Sequence, residues 1–286
     1  MISTRMARIG AAKVFGALRS VTRPTRTERT LETVRLRVEQ EAGTLAGKRV
    51  LVTGSTRGVG RAIAEGFAQC GAVVVVHGRR EEVARRVAAE WPGAVGLGQD
   101  LGVPGAGRRL VARALDRLGG LDIVVNNAAI HDARRKPIWD TPEEEVRDVL
   151  DVNVIAPFDV AAAAIASMLK RRIAGRLINI SSRAADTGLR SVTGTGTYRV
   201  SKIALEGLSL CLASEAHDVV VSTLRPGAIA TDLTRALFPW DEHALMLPPE
   251  SIVGPAFYLA TAPADEVHGR VFEQADLLGR LTATGT

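Results

Sequence analysis

Residues 48–60, which read Lys-Arg-Val-Leu-Val-Thr-Gly-Ser-Thr-Arg-Gly-Val-Gly, constrain this chain more than any other stretch. An apolar, β-prone run over residues 50–53 enters a glycine turn, and a helical pattern follows over residues 61–70. Gly54, Gly58 and Gly60 let the backbone come close to a bound phosphate, whose charge suits the free N–H groups and positive dipole end of the helix. The spacing Gly-x-x-x-Gly-x-Gly differs from the Gly-x-Gly-x-x-Gly of many nucleotide folds, so the turn gains its meaning from what surrounds it.

Similar β-prone runs recur at residues 73–77, 94–97, 122–126, 176–181 and 219–225, with a short one near Val271, and helical stretches alternate with them. They alternate little between apolar and polar residues, which fits a parallel sheet covered on both faces. Ligands of such sheets lie at the carboxyl ends of the strands. Thr53-Gly54, Asp100, Asn126-Asn127 and Ser181-Ser182 all fall at those ends, so one edge of the sheet is polar.

A second feature converges on that edge. Tyr198 and Lys202 lie four residues apart and share one face of a predicted helix. A free phenol has a pKa of about 10, so only about one in a thousand is ionised near pH 7. A fixed ammonium alongside lowers that value and makes the phenol a usable acid or base.

With Gln99-Asp100-Leu101, Asn126-Asn127-Ala128-Ala129, Asn153, Ser181-Ser182 and Arg225-Pro226-Gly227 leading to Thr231, these motifs resemble the short-chain dehydrogenase/reductase family in its shorter, single-domain branch. The resemblance runs over residues 45–272. It implies a Rossmann-type doubly wound seven-stranded parallel sheet with helices on both faces, and reversible hydride transfer between NAD(P)H and a carbonyl or alcohol. It makes Tyr198 the general acid or base. Lys202 would lower the Tyr198 pKa, helped by the charge of an oxidised nicotinamide ring, and bond the nicotinamide ribose. Ser182 would hold the substrate oxygen and Asn153 a water of the proton relay. It places the dinucleotide on Gly54, Ser55, Thr56, Arg57, Gly58, Val59 and Gly60, on Arg79, Asp100, Leu101, Asn127 and Ala128, and on Pro226, Gly227 and Thr231, besides Tyr198 and Lys202.

Three departures from the family pattern stand out. Ala129 replaces the usual glycine, and the stretch between Ser182 and Tyr198 is a few residues long, which leaves Ser181 open as the substrate-side serine. Thr193-Gly194-Thr195-Gly196-Thr197 within it reads as loop. Gln274-Ala275-Asp276 stands where Asp-Gly-Gly often follows the last strand, a change expected to touch the substrate rim and subunit contacts more than the chemistry.

The dinucleotide preference is read at the end of the second strand. An acid there would bind both ribose hydroxyls and favour NAD, whereas arginine accommodates a 2′-phosphate. His77-Gly78-Arg79-Arg80 holds no acid, so Arg79, with Arg57 as a second contact, predicts NADP over NAD.

The net charge of +6 suggests nucleic acid until it is located. Residues 1–45 carry nine Lys or Arg against four acids, which leaves 28 basic and 27 acidic residues in the remainder. No groove-binding charge field is indicated. Residues 1–44 read as a basic extension outside the fold, with a helix near 28–41, and residues 45–286 as the oxidoreductase domain. The first 27 residues lack acids and resemble an organellar targeting segment, yet carry no clean amphipathic face. Cys70 and Cys211 form no disulfide framework and no metal spacing; both are expected as buried thiols, in a cytoplasmic, reducing setting. No run reaches the ~18 apolar residues of a membrane span.

Substrate identity is written most faintly. Leu237, Phe238, Trp240, Leu245, Met246 and Leu247 would form an apolar lid, which suits an apolar carbonyl or alcohol, while Arg134-Arg135-Lys136 could receive an anionic tail. Lys170-Arg171-Arg172 could meet an acidic carrier protein, the basis of an alternative reading as a 3-ketoacyl-thioester reductase. A nucleotide-sensing protein that kept the fold and lost catalysis is the other alternative. Helices over residues 153–172 and 198–216 are expected to pair copies into a homodimer or homotetramer, with Ala161 to Ala164 and Ala166 as a close-approach surface.

Overall fold

The computed structural model describes Glu32 and residues 39–131, 137–188, 195–235 and 246–283. Seven parallel strands form one sheet: β1 (Arg49–Val52), β2 (Val73–Gly78), β3 (Val95–Gly98), β4 (Ile123–Asn126), β5 (Arg176–Ile180), β6 (Val220–Arg225) and β7 (Val271–Glu273). Their order is β3-β2-β1-β4-β5-β6-β7, so the chain reverses its direction of travel across the sheet between β1 and β4. Leu51 pairs with Val75 on one side and Val124 on the other. A crevice opens beyond the carboxyl ends at such a reversal. The expected strands and their order of use in the chain are borne out to within a residue or two.

Alternation inside the strands divides the core into two layers. Val50, Val52, Val74 and Val76 face α1 (Gly58–Gln69), α8 (Val253–Thr261) and α10 (Gln274–Ala283). Leu51, Val75, Val124 and Leu177 face α3 (Ala106–Leu118) and α5 (Ala156–Arg171) on the other side, together with the end of α6 (Gly196–Glu215). Each strand residue is covered on its own face, which is why the strands read as continuous apolar runs. Phe67 and Leu51 are fully buried, and a side chain of that size contributes about 1.5–3 kcal/mol when removed from water.

The remaining helices sit at the rim: α2 (Glu81–Ala88), α4 (Glu143–Leu150), α7 (Asp232–Arg235) and α9 (Ala264–Val267). Between α4 and α5 the helix widens into one π turn, Asp151–Ile155.

Three expectations need correction. Gly196 and Thr197 belong to α6 and not to a loop, since Gly196 packs beneath Ile138, whose Cβ lies where an added methyl at 196 would come within 2.8 Å. Cys70 is buried, but Cys211 is exposed because it lies on the outward face of α6. Ala161 and Ala164 are core residues packed toward α3, so only Ala162 and Ala166 reach the surface side of α5. The continuous helical stretch Glu143–Arg171, 29 residues, is long and apolar enough to cross a membrane by length and composition alone, but half of its apolar window is buried inside the domain, as in a core helix.

Candidate functional site

The glycine turn is fixed by side chains from neighbouring strands. Asn127, just past β4, donates from Nδ2 to the Thr53 carbonyl at 2.8 Å and the Gly54 carbonyl at 3.2 Å. Thr53 Oγ1 accepts the N–H groups of Asn127 and Ala128 at 2.9 and 3.0 Å. Gly60 must be glycine: a Cβ there would stand 2.3 Å from Asn127 Nδ2 and 2.5 Å from the Gly54 carbonyl oxygen. Gly78 is closed in the same way, since a Cβ would meet Thr56 Cγ2 at 2.6 Å. An aspartate at 78, the acid that would favour NAD, therefore requires Thr56 to move.

From this turn a cleft of about 1010 Å³ runs along the carboxyl ends of the strands. Its wall includes Gly54, Thr56, Arg57, Gly58, Val59, Gly60, Arg79, Asp100, Leu101, Asn127 and Ala128, with Thr231 against Gly58, and also Ser182, Tyr198, Lys202, Pro226 and Gly227. Two expected residues stand behind the wall. The Ser55 hydroxyl donates to the Val52 carbonyl at 2.7 Å, and its N–H donates to the His77 carbonyl at 2.8 Å, so it offers the cleft no donor. Asn153 is fully buried in the π turn. Its Oδ1 accepts the Ile130 N–H at 2.8 Å, and its Nδ2 donates to the Ile130 carbonyl at 2.9 Å and to Ser201 Oγ at 3.0 Å. Ser201 in turn donates to the Tyr198 carbonyl at 2.7 Å, so Asn153 braces the turn of helix that carries the phenol.

The two serines separate clearly. Ser181 donates its hydroxyl to Glu206 Oε1 at 2.6 Å, whereas Ser182 lines the cleft with Tyr198 and caps the short turn Arg183–Ala185 by accepting the Ala184 N–H at 3.1 Å. Burial pushes the Tyr198 phenol up to about 12 against the lowering effect of Ser182. That reverses the expected direction. Lys202 does not offset it: its Nζ donates to the Ile180 carbonyl at 2.8 Å, lies 5.6 Å from the centre of the Tyr198 ring, and is brought down by burial to about 8, with Glu206 acting in opposition. The protein's own groups thus hold the phenol protonated at neutral pH.

At the other end, Arg79 is exposed on the cleft wall, while Arg80 turns away to Glu82 at 3.4 Å. Arg57 makes an ion pair with Asp232 at 3.1 Å, but both side chains are about three-quarters exposed (75% and 73%). A pair that wet is worth ~0–1 kcal/mol, so it leaves the guanidinium able to exchange partners. Glycines that cannot carry a methyl, a helix N-terminus behind them and two arginines beyond suit a dinucleotide with a phosphorylated ribose.

Several contacts here escaped the sequence reading. His131 stacks on Tyr198 with centroids 4.8 Å apart. Glu206 binds Arg225 through both of its oxygens at 2.7 Å. Gln274 accepts the Gly227 N–H at 3.0 Å and donates to Ser251 Oγ at 2.9 Å. The departure after the last strand therefore bears on the Pro226-Gly227 wall, rather than mainly on the rim. His77, read only for its neighbours, bonds the glycine turn. A polar residue closing the run Val-Val-Val-Val was the available signal for His77; the others depend on pairings across the sheet. Arg134-Arg135-Lys136 and Leu237, Phe238, Trp240 and Leu245 lie outside the described residues.

Comparison with known proteins agrees with this geometry. Residues 48–242 match the model of the short chain dehydrogenase family. The chain is 40% identical over 206 residues to dehydrogenase/reductase SDR family member 4 of Oryctolagus cuniculus, covering 70% of this chain and 76% of that one. It is 36% identical to the 3-oxoacyl-(acyl-carrier-protein) reductase of Vibrio cholerae, covering 68% and 78%. Among solved structures, a putative NAD(P) dependent gluconate 5-dehydrogenase from Beutenbergia cavernae with bound NADP superposes with a TM-score of 0.71 at 36% identity, covering 80% of this chain and 96% of that one. The family match over residues 48–242 and the seven-stranded sheet agree: the chain belongs to the short-chain dehydrogenase/reductase family and is an NAD(P)-dependent oxidoreductase.

Proposed function

We propose that the protein uses NADP in preference to NAD and interconverts a small carbonyl compound with its secondary alcohol, with Tyr198 as the proton donor in the reducing direction. The observation that carries this reading is the Tyr198 phenol, held protonated on the cleft wall that it shares with Ser182 and Lys202. A bound dihydronicotinamide would supply the hydride that the carbonyl carbon accepts. Ser182 would hold the carbonyl oxygen, and Tyr198 would pass its proton to that oxygen. Lys202, with its ammonium on the Ile180 carbonyl, would face the resulting phenolate and the ribose. Asn153 acts through the backbone it braces.

Arg79 on the wall, with no acid at residues 77–80, supports NADP. Ile130, Ala184 and Ile229 line the same cleft as Tyr198 and support a substrate with an apolar flank. Arg183 and Arg199, next in sequence to Ser182 and Tyr198, line the same wall and favour, as a second reading, a ketone that carries a carboxylate. The carrier-protein argument weakens, because Lys170-Arg171-Arg172 closes α5 at the edge where β5 begins, and the cleft lies where β5 ends. Residues 45–286 are the oxidoreductase domain in this reading, supported by Leu45, which is buried and donates its N–H to the Cys70 carbonyl at 3.0 Å. Two free thiols support a cytoplasmic setting. The exposed apolar side chains of α5 and α6 support a dimer or tetramer.

The test follows nicotinamide absorbance with NADPH or NADH against a panel of plain ketones, keto acids and acetoacetyl thioesters. Consumption of NADPH with at least one carbonyl is expected. Arg79→Ala should weaken NADPH by about 10- to 150-fold, the worth of a charge-assisted hydrogen bond, and leave NADH nearly unchanged. Equal losses for both dinucleotides would overturn the assignment of NADP.

A further inference from the structure

His77 is the last residue but one of β2 and is 2% exposed. Its Nδ1 accepts the Gly54 N–H at 3.0 Å, which requires that nitrogen to carry no proton. The proton then belongs on Nε2, which lies 2.9 Å from the Gln99 carbonyl and donates to it. The backbone of the same residue is tied to the turn as well. His77 N–H donates to Ser55 Oγ at 2.9 Å, and the His77 carbonyl accepts the Ser55 N–H at 2.8 Å. One residue therefore joins the ends of β1, β2 and β3, and does so through a single tautomer of a neutral ring.

We propose that His77 is a positioning residue for the dinucleotide: its uncharged imidazole holds Gly54 and Gln99 in place, and protonation of the ring releases Gly54 and loosens the cofactor end of the cleft. This rests on the reading of the cleft as a dinucleotide site. The surroundings oppose protonation. Burial has the largest effect; the hydrogen bond to the Gln99 carbonyl favours the charge, the Arg113 guanidinium from α3 opposes it, and Asp100 beyond β3 favours it weakly. Glu81, at the head of α2, is paired with Arg113 and accepts the Gly98 N–H, so its charge is already engaged. Together they bring His77 down to about 4, and the hydrogen-bonded form prevails at neutral pH.

The experiment measures NADPH affinity by nucleotide fluorescence for the full chain, His77→Leu and His77→Gln between pH 4.5 and 8. At pH 7.5, His77→Leu should bind NADPH at least ~10-fold more weakly, because the Gly54 N–H loses the acceptor that holds the turn. Turnover at saturating NADPH should stay within ~3-fold, since nothing in the chemistry is removed. His77→Gln, which retains an acceptor, should recover part of the affinity. The advantage of wild type over His77→Leu should shrink toward pH 4.5; the 2′-phosphate and other groups titrate alike in both proteins and cancel. Equal affinity with a flat ratio would overturn the inference alone. Failure of wild type to bind either dinucleotide would overturn the cofactor reading and this inference with it. Should His77→Leu fail to fold, ¹⁵N spectra of wild type decide: a neutral Nε2–H ring above about pH 5 supports the role, whereas an Nδ1–H ring or titration near 6.5 overturns it.

Discussion

Replacing Tyr198 by Phe removes one oxygen and keeps the ring that stacks on His131. Turnover should fall by the 10²–10⁴ typical of a lost acid–base group, while dinucleotide affinity is retained. Steady-state rates and a binding titration check both, and near-normal turnover would remove Tyr198 from the chemistry. The phenol also shows why its protonation was misjudged from sequence. Spacing put Lys202 beside it, but burial, which raises one pKa and lowers the other, is a property of the packed site. The same rule gives His77 a signature in stability. Its folded pKa of about 4 lies below the ordinary 6.5, so between those values the unfolded chain binds more protons than the folded one. Stability should therefore be complete above about pH 6.5 and fall as pH drops toward 4, by roughly 3 kcal/mol from this group. Urea unfolding at pH 7 and 4.5 measures it; the loss should be shallower in His77→Leu, and identical losses would show that His77 is not the source.

At the scale of elements, the turn between β1 and α1 behaves as one unit with the end of β4, because Asn127 fills the space that a side chain at residue 60 would need. Gly60→Ala should displace Asn127 from the Thr53 and Gly54 carbonyls and weaken NADPH binding by at least ~10-fold, with the fold retained by circular dichroism. Unchanged affinity would mean that the turn adjusts freely. Which elements exist was legible, since each strand is a run of residues buried on both faces and each helix carries its own apolar pattern. The residues that contact the cleft were legible where a motif placed them at a strand end. The braces were not: Asn153 reaches Ile130, Glu206 reaches Arg225 and Gln274 reaches Gly227 across gaps of 23, 19 and 47 residues. No local pattern specifies such a pairing before the sheet order is known. Asn153 is an intermediate case, for Val152, Asn153 and Val154 interrupt good helix formers, and the helix does widen into a π turn there.

The molecule as a whole presents two faces with different tasks. Cleft residues collect on one edge of the sheet, while the outward sides of α5 and α6 display Ile155, Phe158, Leu169, Val200, Ile203 and Leu210, each 39–51% exposed. From the end of the π turn along α5, the spacing of Ile155, Phe158, Ala162, Ala166 and Leu169 is helical, so these residues form one stripe with two alanines at its centre. The small residues leave room for a close approach, and the large ones supply apolar area, a combination that a second copy with the same stripes can match across a twofold axis. Wild type should accordingly sediment as a dimer or tetramer at micromolar concentration. Phe158→Glu or Leu210→Glu places a charge within that stripe or its neighbour on α6, where burial without a partner is costly, and should shift the protein toward monomer. The fold should survive, since both side chains are already about half exposed in the single chain. Sedimentation velocity with parallel circular dichroism separates loss of assembly from loss of structure. A monomeric wild type, or an assembly that ignores both charges, would show that α5 and α6 do not form the interface.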